Sequence, residues 1–196
     1  MKRIDADWLE NAETQRAFQA LTTPGFDAYA VGGCVRNTLL GVPVSDIDIA
    51  TSATPDETTK AAEAAGIKTI PTGYDHGTVT LVVGKTPFEV TTFRKDIETD
   101  GRHAVVSFTD DIREDARRRD FTMNALYAGP NGELFDPLGG LSDLLARRVR
   151  FIEDPEARIR EDFLRSLRFF RFHAQYGDPM QGLDADGLAA IAGNLD

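Results

Sequence analysis

The sequence has almost no cysteine: Cys34 is the single thiol among 196 residues. One thiol excludes an intramolecular disulfide framework. The opening stretch, Met-Lys-Arg-Ile-Asp-Ala-Asp, also lacks the apolar segment that a secretory signal needs. Both absences favour a cytoplasmic protein.

Long apolar runs are missing as well. No segment approaches the roughly 18 consecutive apolar residues of a membrane span, and the chain has neither heptads nor internal repeats. Apolar residues nevertheless form 41% of the chain, which is enough for a proper core. The sequence therefore predicts a soluble, non-repetitive protein with no membrane partner.

Basic residues are fewer than acidic ones, 22 against 32. The formal net charge of -10 argues against a wide basic surface for nucleic acid, because such a surface needs clustered lysine and arginine. Twelve of the seventeen arginines, however, lie between Arg113 and Arg171. Arginine suits planar, bidentate recognition of phosphates or base edges. These arginines either serve such a site or belong to solvated helix faces.

Hydrophobic spacing and turn residues predict a mixture of helices and strands. The mixture lacks a regular βαβ rhythm, which favours an α+β fold. From about residue 140 onward the signals are almost all helical, so we divide the chain into segments 1–140 and 141–196. The predicted helices are 7–21, 35–40, 55–66, one that begins at 113, 155–175 and 183–195; the predicted strands are 29–31, 45–50, 78–83 and 87–93, and residues 95–105 are predicted to form a polar loop.

Two aspartates, Asp46 and Asp48, lie two residues apart in a predicted strand. Residues at i and i+2 share a face, so the carboxylates leave it roughly 7 Å apart, while Ile47 and Ile49 point into the core. Two such carboxylates can bridge a pair of Mg²⁺ ions about 3.5–4 Å apart, and magnesium prefers oxygen ligands. Glu89, on another predicted strand, is either a third carboxylate or a solvent-facing residue. Acidic pairs are also common on exposed strands.

A glycine pair, Gly32-Gly33, stands between a predicted strand and a predicted helix. Bare backbone N–H groups and a helix N-terminus can hold a triphosphate there, and Arg36 would add a positive charge. The alternative is an ordinary tight turn without a ligand.

The run at 118–124, Arg-Arg-Asp-Phe-Thr-Met-Asn, places Asp120 and Asn124 four residues apart. If the run is helical, the two side chains share a face and can both reach a ribose hydroxyl. Arg119 would then lie beside phosphate. An exposed helix with local Arg–Asp pairs is the alternative.

Asp162 and Arg165 lie three residues apart on a predicted helix with Leu164, Leu167 and Phe170 among its buried residues. An aspartate accepts from an exocyclic amino group, and an arginine donates to a ring nitrogen or a carbonyl. Cytosine and adenine carry that amino group on their pairing edge, whereas uracil and guanine present a carbonyl. Such a pair could choose C and A without a template. The alternative is a surface salt bridge.

Together these motifs resemble the class II tRNA nucleotidyltransferase and bacterial poly(A) polymerase family. The resemblance is carried by Gly-Gly-Cys-Val-Arg at 32–36, Asp-Ile-Asp at 46–48, Arg-Arg-Asp-Phe-Thr-Met-Asn-Ala at 118–125 and Glu-Asp-Phe-Leu-Arg at 161–165. It covers nearly the whole chain. It implies a catalytic head over 1–140, with a roughly five-stranded mixed sheet, and a helical neck over 141–196 that recognises the base.

The resemblance also implies a role for each motif. The aspartate pair would hold the metal, the Arg-Arg-Asp motif would contact ribose and phosphate, and the Glu-Asp motif would pair with the incoming base. The predicted metal ligands are Asp46, Asp48 and Glu89, the first two also catalytic, and the predicted nucleotide-binding residues are Gly32, Gly33, Arg36, Arg119, Asp120, Asn124, Asp162, Arg165, Arg168 and Arg171.

The implied activity is the addition of CCA to the 3′ acceptor end of tRNA from CTP and ATP, with Mg²⁺ as cofactor. Two alternatives stay open. One is a poly(A) polymerase, which shares every motif above, and the other is a nucleotide- or RNA-binding module with little activity. Nothing in the sequence indicates an oligomeric state.

Two features depart from the family pattern. Asn37 stands where the family usually has aspartate, which removes a charge near the expected triphosphate. Family members also continue into body and tail helices, whereas this chain stops at Asp196, so either it is a fragment or its hold on tRNA comes from elsewhere. Asp100-Gly101-Arg102, in contrast, is similar to a loop that full CCA-adding enzymes keep.

Overall fold

A computed structural model describes residues 2–100 and 103–194, with side chains described outside 96–105. The helices are α1 Asp7–Glu10, α2 Ala12–Thr22, α3 Gly33–Leu40, α4 Pro55–Ala64, α5 Ile112–Arg117, α6 Gly140–Leu145, α7 Pro155–Glu161, α8 Leu164–Tyr176 and α9 Ala185–Gly193, and short 3₁₀ turns occupy Tyr74–His76 and Thr122–Asn124. The strands are β1 Ala28–Val31, β2 Asp48–Thr51, β3 Lys68–Gly73, β4 Thr78–Val83, β5 Thr86–Thr92, β6 Arg94–Asp100, β7 His103–Phe108, β8 Tyr127–Ala128 and β9 Leu134–Phe135.

The main sheet confirms the predicted α+β fold. Its strand order is β3-β4-β5-β2-β1-β8-β9. Strands β2 and β5 run parallel, and the other neighbours are antiparallel. The sheet has seven strands instead of the expected five because β8 and β9, of two residues each, extend one edge. Strands that short carry too little alternation to be predicted from sequence.

Alternation along β5 decides which side chains enter the core. Phe88, Val90 and Thr92 are buried, whereas Glu89 between them is exposed. This is the period of two expected for a strand with one wet face. The same core includes Phe18 of α2, and it continues past residue 140 through Leu144 of α6. The boundary between segments 1–140 and 141–196 stays a prediction.

The predicted helix 7–21 is divided into α1 and α2 at Asn11. The Asn11 side chain accepts from the backbone N–H of Glu13 and so caps the second helix. Asparagine stabilises a helix start in this way and interrupts a helix interior. Trp8, in α1, donates its indole N–H to the Thr38 hydroxyl of α3 at 2.8 Å.

Residues 95–105 were expected to form a loop, and this prediction is wrong for 95–100 and 103–105. Strands β6 and β7 pair with each other in a separate two-stranded sheet. A ribbon outside the main sheet needs no apolar face, so its polar sequence gave no strand signal. Gly101 and Arg102, part of the loop motif, lie outside the described residues.

The predicted helix 155–175 is also wrong in its middle. Helix α7 ends at Glu161, Asp162 has extended backbone angles, and α8 begins at Leu164. The break changes the face of α8 that is buried. Phe169, Phe172 and Tyr176 are buried, whereas the residues expected inside are exposed, by 38% at Leu164, 68% at Leu167 and 42% at Phe170. Across the described ranges, no helix is both long and apolar enough to cross a membrane.

Candidate functional site

An open cleft of about 460 Å³ lies between the glycine turn after β1 and the first turns of α8. This volume lies within the range of ligand-binding pockets. Ten of the thirteen predicted site residues line the cleft, while Asp46, Glu89 and Arg171 do not. The full lining is Gly32, Gly33, Arg36, Asp48, Arg118, Arg119, Asp120, Asn124, Asp162, Leu164, Arg165, Arg168 and Phe172.

The glycine pair forms the turn between β1 and α3. Gly32 has φ 71° and ψ -116° and precedes the first residue of the helix. Side chains rarely adopt this backbone conformation, so glycine is required. A Cβ at Gly32 would lie 3.6 Å from Nη1 of Arg119. An arginine side chain therefore lies beside the open backbone of the turn.

The aspartate pair lies at the start of β2. The strand begins at Asp48, so the prediction of a strand from residue 45 is wrong for 45–47. Asp46 precedes the strand and accepts a 2.7 Å hydrogen bond from the Ser45 hydroxyl. Ile49 is buried, and Ile47 packs partly against the core. Both isoleucines thus face inward, as expected.

Strand pairing brings a further carboxylate beside Asp48. Glu89 is its register partner on the parallel strand β5. Although solvent reaches Asp48, the surrounding protein partly desolvates it and raises its pKa, and the charges of Glu89 and Asp46 act in the same direction. Arg119 opposes them. Like charges held this close favour a cation, but no three potential metal ligands converge among the described residues.

Arg36 is held by protein groups instead of standing open beside a phosphate. It is 7% exposed. Its guanidinium donates to Asn124 Oδ1 at 2.6 Å, to the Tyr176 hydroxyl at 2.8 Å and to Asn37 Oδ1 at 3.0 and 3.2 Å. It also lies 4.2 Å from the Tyr176 ring centroid and 5.2 Å from that of Phe172. Burial lowers the pKa of Arg36 from its usual value.

Asn37 uses both ends of its amide. Its oxygen accepts from Arg36, and its Nδ2 donates to the Pro43 carbonyl at 2.9 Å. An aspartate could accept from Arg36 but has no hydrogen to donate to Pro43. The departure from the family pattern therefore gives this loop one additional hydrogen bond.

Asp120 and Asn124 meet, but not on the expected α-helix. A 3₁₀ turn at Thr122–Asn124 brings Asn124 Nδ2 within 2.8 Å of Asp120 Oδ1. Arg168 donates to Asp120 Oδ2 through Nε at 2.7 Å and through Nη2. Asp120 is 8% exposed and Asn124 is 6% exposed, so both are fixed by protein contacts at the cleft wall.

Asp115 organises the two cleft arginines and was missed in the sequence. It is 1% exposed and accepts from Arg118 Nε at 2.8 Å, from Arg119 at 3.1 and 3.3 Å and from the Tyr127 hydroxyl at 2.8 Å. Burial alone would raise its pKa, but the charges of Arg119 and Arg118 lower it to about 2. The signal was the spacing of i, i+3 and i+4, which places these residues on one helix side.

Asp162 and Arg165 both line the cleft, yet they do not form the salt bridge considered as an alternative. The Asp162 carboxylate accepts from the backbone N–H of Leu164 at 3.0 Å. Arg165 donates to Glu161 at 2.6 Å and to the Arg118 carbonyl at 3.2 Å. Within the part of the chain that the structure describes, no ion pair joins Asp162 to Arg165.

Arg171 points elsewhere. It is exposed, and its guanidinium lies 5.5 Å from the Phe172 ring centroid. The cleft lining instead includes Leu164 and Phe172, neither of which was predicted as a site residue. Phe172 was not identified because an aromatic residue on a helix is more often part of the core.

Comparisons with known proteins agree with this geometry. Residues 28–150 match the family model described as the poly(A) polymerase head domain. The chain is 46% identical over 164 residues to the mitochondrial CCA tRNA nucleotidyltransferase 1 of Homo sapiens, which covers 83% of this chain and 38% of the relative. It is also 46% identical over 159 residues to the CCA-adding enzyme of Geobacillus thermodenitrificans, which covers 80% and 38%.

A solved structure extends the likeness to three dimensions. The CCA-adding enzyme of Bacillus stearothermophilus in complex with CTP superposes with a TM-score of 0.81 at 40% identity. The match covers 93% of this chain and 42% of that one. The chain thus spans about two fifths of the length of its relatives.

Proposed function

Since this chain belongs to the class II CCA-adding enzyme and poly(A) polymerase family, we propose that it is a template-independent nucleotidyltransferase that adds CCA to the 3′ end of tRNA from CTP and ATP. One observation carries the proposal. A single cleft contains the glycine turn, Asp48, the arginines Arg118 and Arg119 and the pair Asp162 and Arg165. The glycine turn and the two arginines suit a triphosphate, Asp48 suits a metal, and Asp162 and Arg165 suit a base.

The acid cluster fits a hard divalent cation, and we propose Mg²⁺. Asp46 and Asp48 would hold it. Glu89, the register partner of Asp48 on the neighbouring strand β5, would offer a third carboxylate. Magnesium is commonly bound by one or two carboxylates together with substrate phosphates, so two aspartates suffice without a third ligand. When bound, the ion would offset the negative charge that develops on the phosphates.

The residues of this chain would position the reactants. The turn at Gly32 and Gly33 leaves backbone N–H groups accessible at the start of α3, where a triphosphate is favoured. Arg119, whose Nη1 lies beside this turn, would contribute positive charge. The tRNA 3′ hydroxyl would attack the α-phosphate in line, forming the new phosphodiester and releasing pyrophosphate. No protein nucleophile is needed, because the attacking oxygen belongs to the RNA.

Base choice would rest on Asp162 and Arg165. A carboxylate accepts from the amino group of cytosine or adenine, whereas the carbonyl of uracil or guanine would repel it. Arg165 is already anchored by Glu161 and by the Arg118 carbonyl. Its fixed position supports recognition by geometry, without a nucleic-acid template.

We propose that the protein acts in the cytoplasm. Its one cysteine, Cys34, is a free, buried thiol, and free thiols are typical of a reducing compartment. The human relative is named as mitochondrial, so fractionation of cells that express the protein, with detection in the cytosolic rather than the mitochondrial fraction, tests the location.

The experiment is extension of a tRNA that lacks its CCA end, with Mg²⁺ and with CTP alone, ATP alone or both. We expect C, C and A to be added in order. Asp46→Asn and Asp48→Asn should each reduce incorporation by at least about a hundredfold, since several kcal/mol of charge stabilisation are lost. Asp5→Asn is the matched control, because Asp5 is exposed and lies outside the cleft.

The rival functions give different results. Tailing with ATP alone would identify a poly(A) polymerase and contradict CCA addition. Binding of CTP and ATP without turnover, on a saturating RNA, would identify a nucleotide-binding module.

A further inference from the structure

Two reciprocal arginine contacts join the phosphate side of the cleft to α8. Arg36, on α3, donates to the Tyr176 hydroxyl of α8 at 2.8 Å. Arg168, on α8, donates to Asp120. Phe172 lies between them, with its ring centroid 5.2 Å from the Arg36 guanidinium and 5.4 Å from that of Arg168. We call these five residues the α8 clamp.

The clamp uses one face of the helix. Arg168, Phe172 and Tyr176 occupy positions i, i+4 and i+8, which stack along one side of an α-helix. Eight residues rise about 12 Å. Two contacts that far apart fix both the rotation and the tilt of α8 against the rest of the protein.

The pair proposed to recognise the base, Asp162 and Arg165, lies at the N-terminal end of α8, whereas Tyr176 is the last residue of the helix. Arg165 precedes Arg168 by one turn, and Asp162 occupies the break immediately before α8. Arg36 also donates to Asn124, so the same guanidinium contacts the predicted ribose side and α8. Any tilt of α8 would move Asp162 and Arg165 relative to the sugar and phosphates.

We propose that Tyr176 is a positioning residue for base choice. It does not contact the nucleotide; it holds α8, through Arg36, at the angle at which Asp162 and Arg165 meet the pairing edge. This inference rests on the proposed function. Its specific consequence is that loss of the Tyr176 hydroxyl weakens discrimination between bases more than it weakens triphosphate binding.

The test is Tyr176→Phe, which removes the hydrogen bond and keeps the ring over Arg36. Dissociation constants for CTP, ATP, UTP and GTP are measured with Mg²⁺ on the full chain. We expect the CTP-over-UTP preference to fall about fivefold, while CTP binding itself changes less than about threefold, because the variant loses a hydrogen bond that orients α8 and loses no contact to the phosphates.

Two control variants separate positioning from general destabilisation. Phe169→Leu loosens the core face of the same helix without touching the clamp, so it should lower thermal stability and leave the CTP-over-UTP preference intact. Tyr74→Phe removes a surface hydroxyl bonded to Asp56 and should change neither property. All four proteins are compared at a temperature at which each is folded.

The outcomes are distinct. A wild-type chain that binds CTP no better than UTP would contradict the proposed base choice, and the positioning role with it. A wild-type preference that Tyr176→Phe retains in full would overturn the positioning role alone. An equal loss of preference in Phe169→Leu would show that any loosening of α8 suffices, which also overturns a specific role for Tyr176.

Discussion

At the scale of single residues, Asp115 is a buried charge stabilised by its partners. Taking a carboxylate out of water is costly unless it is paired and hydrogen-bonded. Here Arg118, Arg119 and the Tyr127 hydroxyl satisfy it. The remaining nitrogen of Arg119, Nη1, is left beside the backbone of Gly32. The buried carboxylate therefore directs an arginine towards the cleft.

The lowered pKa of Asp115 makes stability depend on pH. Its pKa is about 2 in the folded protein against an ordinary 3.8, so its ionised form stabilises the fold above about pH 4, and this is lost as the pH falls towards 2. Asp115→Asn should cost roughly 2–3 kcal/mol at pH 7. Urea unfolding at pH 7 and pH 3 measures it.

The comparison of the two pH values also gives the result that would contradict this prediction. The difference between wild type and Asp115→Asn should shrink at pH 3, because the carboxylate of the unfolded wild-type chain, with its ordinary pKa of 3.8, is largely protonated there while the folded one is still largely ionised. A difference that is the same at both pH values would mean that the charge of Asp115 is not the source of its stabilisation. Asp5→Asn should leave both curves unchanged, since Asp5 is exposed.

At the scale of elements, α8 shows where hydrophobic periodicity misleads. Leu164, Leu167 and Phe170 are an apolar set at helical spacing, but Phe169, Phe172 and Tyr176 are another. Sequence spacing cannot choose between two such sets on one helix. The choice is made by the break at Asp162 and by Phe121 and Phe151, whose rings lie 6.3 and 5.4 Å from Phe169.

Substitutions on the two faces test this assignment. Phe169→Ala should destabilise the fold by about 3–5 kcal/mol, because it leaves a cavity in the core. Leu167→Ala should change stability by less than about 0.5 kcal/mol, because the side chain is mostly exposed. Urea unfolding of both variants gives the comparison. The reverse order would mean that α8 is rotated relative to the structure described.

Other elements were predictable because their signals are local. The α4 helix has Thr54 and Glu57 in a capping box with a proline at its first turn, and β4 and β5 alternate around a glycine turn. The β2 start was misplaced because Ser45 and Asp46 continue the alternation without continuing the ladder. Pairing, rather than pattern, ends a strand.

At the scale of the whole molecule, residues far apart in the chain form the cleft, and their contacts could not be predicted from the sequence. Arg36 and Tyr176 are 140 residues apart in the chain, and nothing in either local sequence indicates that they meet. The motifs selected residues that lie together in space, since ten of the thirteen predicted site residues line one cleft. The individual partners of these residues depend on how α8 packs against the rest of the protein.

One glycine tests how closely α6 is packed against the 3₁₀ turn at Thr122–Asn124. Gly140, at the start of α6, lies against the 3₁₀ turn of Thr122, and a Cβ there would be 2.1 Å from the Thr122 carbonyl oxygen. The backbone would have to move, so Gly140→Ala should cost at least about 1–3 kcal/mol. Gly193→Ala, where a Cβ meets nothing, is the control and should be neutral or stabilising. Thermal melting that ranks the two variants otherwise would contradict this packing.

The contact between Trp8 and α3 gives the protein a built-in optical reporter. Trp8 is the sole indole in the chain, and its N–H is bonded to Thr38, on the same short helix that begins at Gly33 and carries Arg36. Indole emission depends on the polarity and hydrogen bonding of the ring. A nucleotide that shifts α3 should therefore change the intrinsic fluorescence without any attached dye. Nucleotide binding by a variant of any cleft residue can be titrated with the same signal.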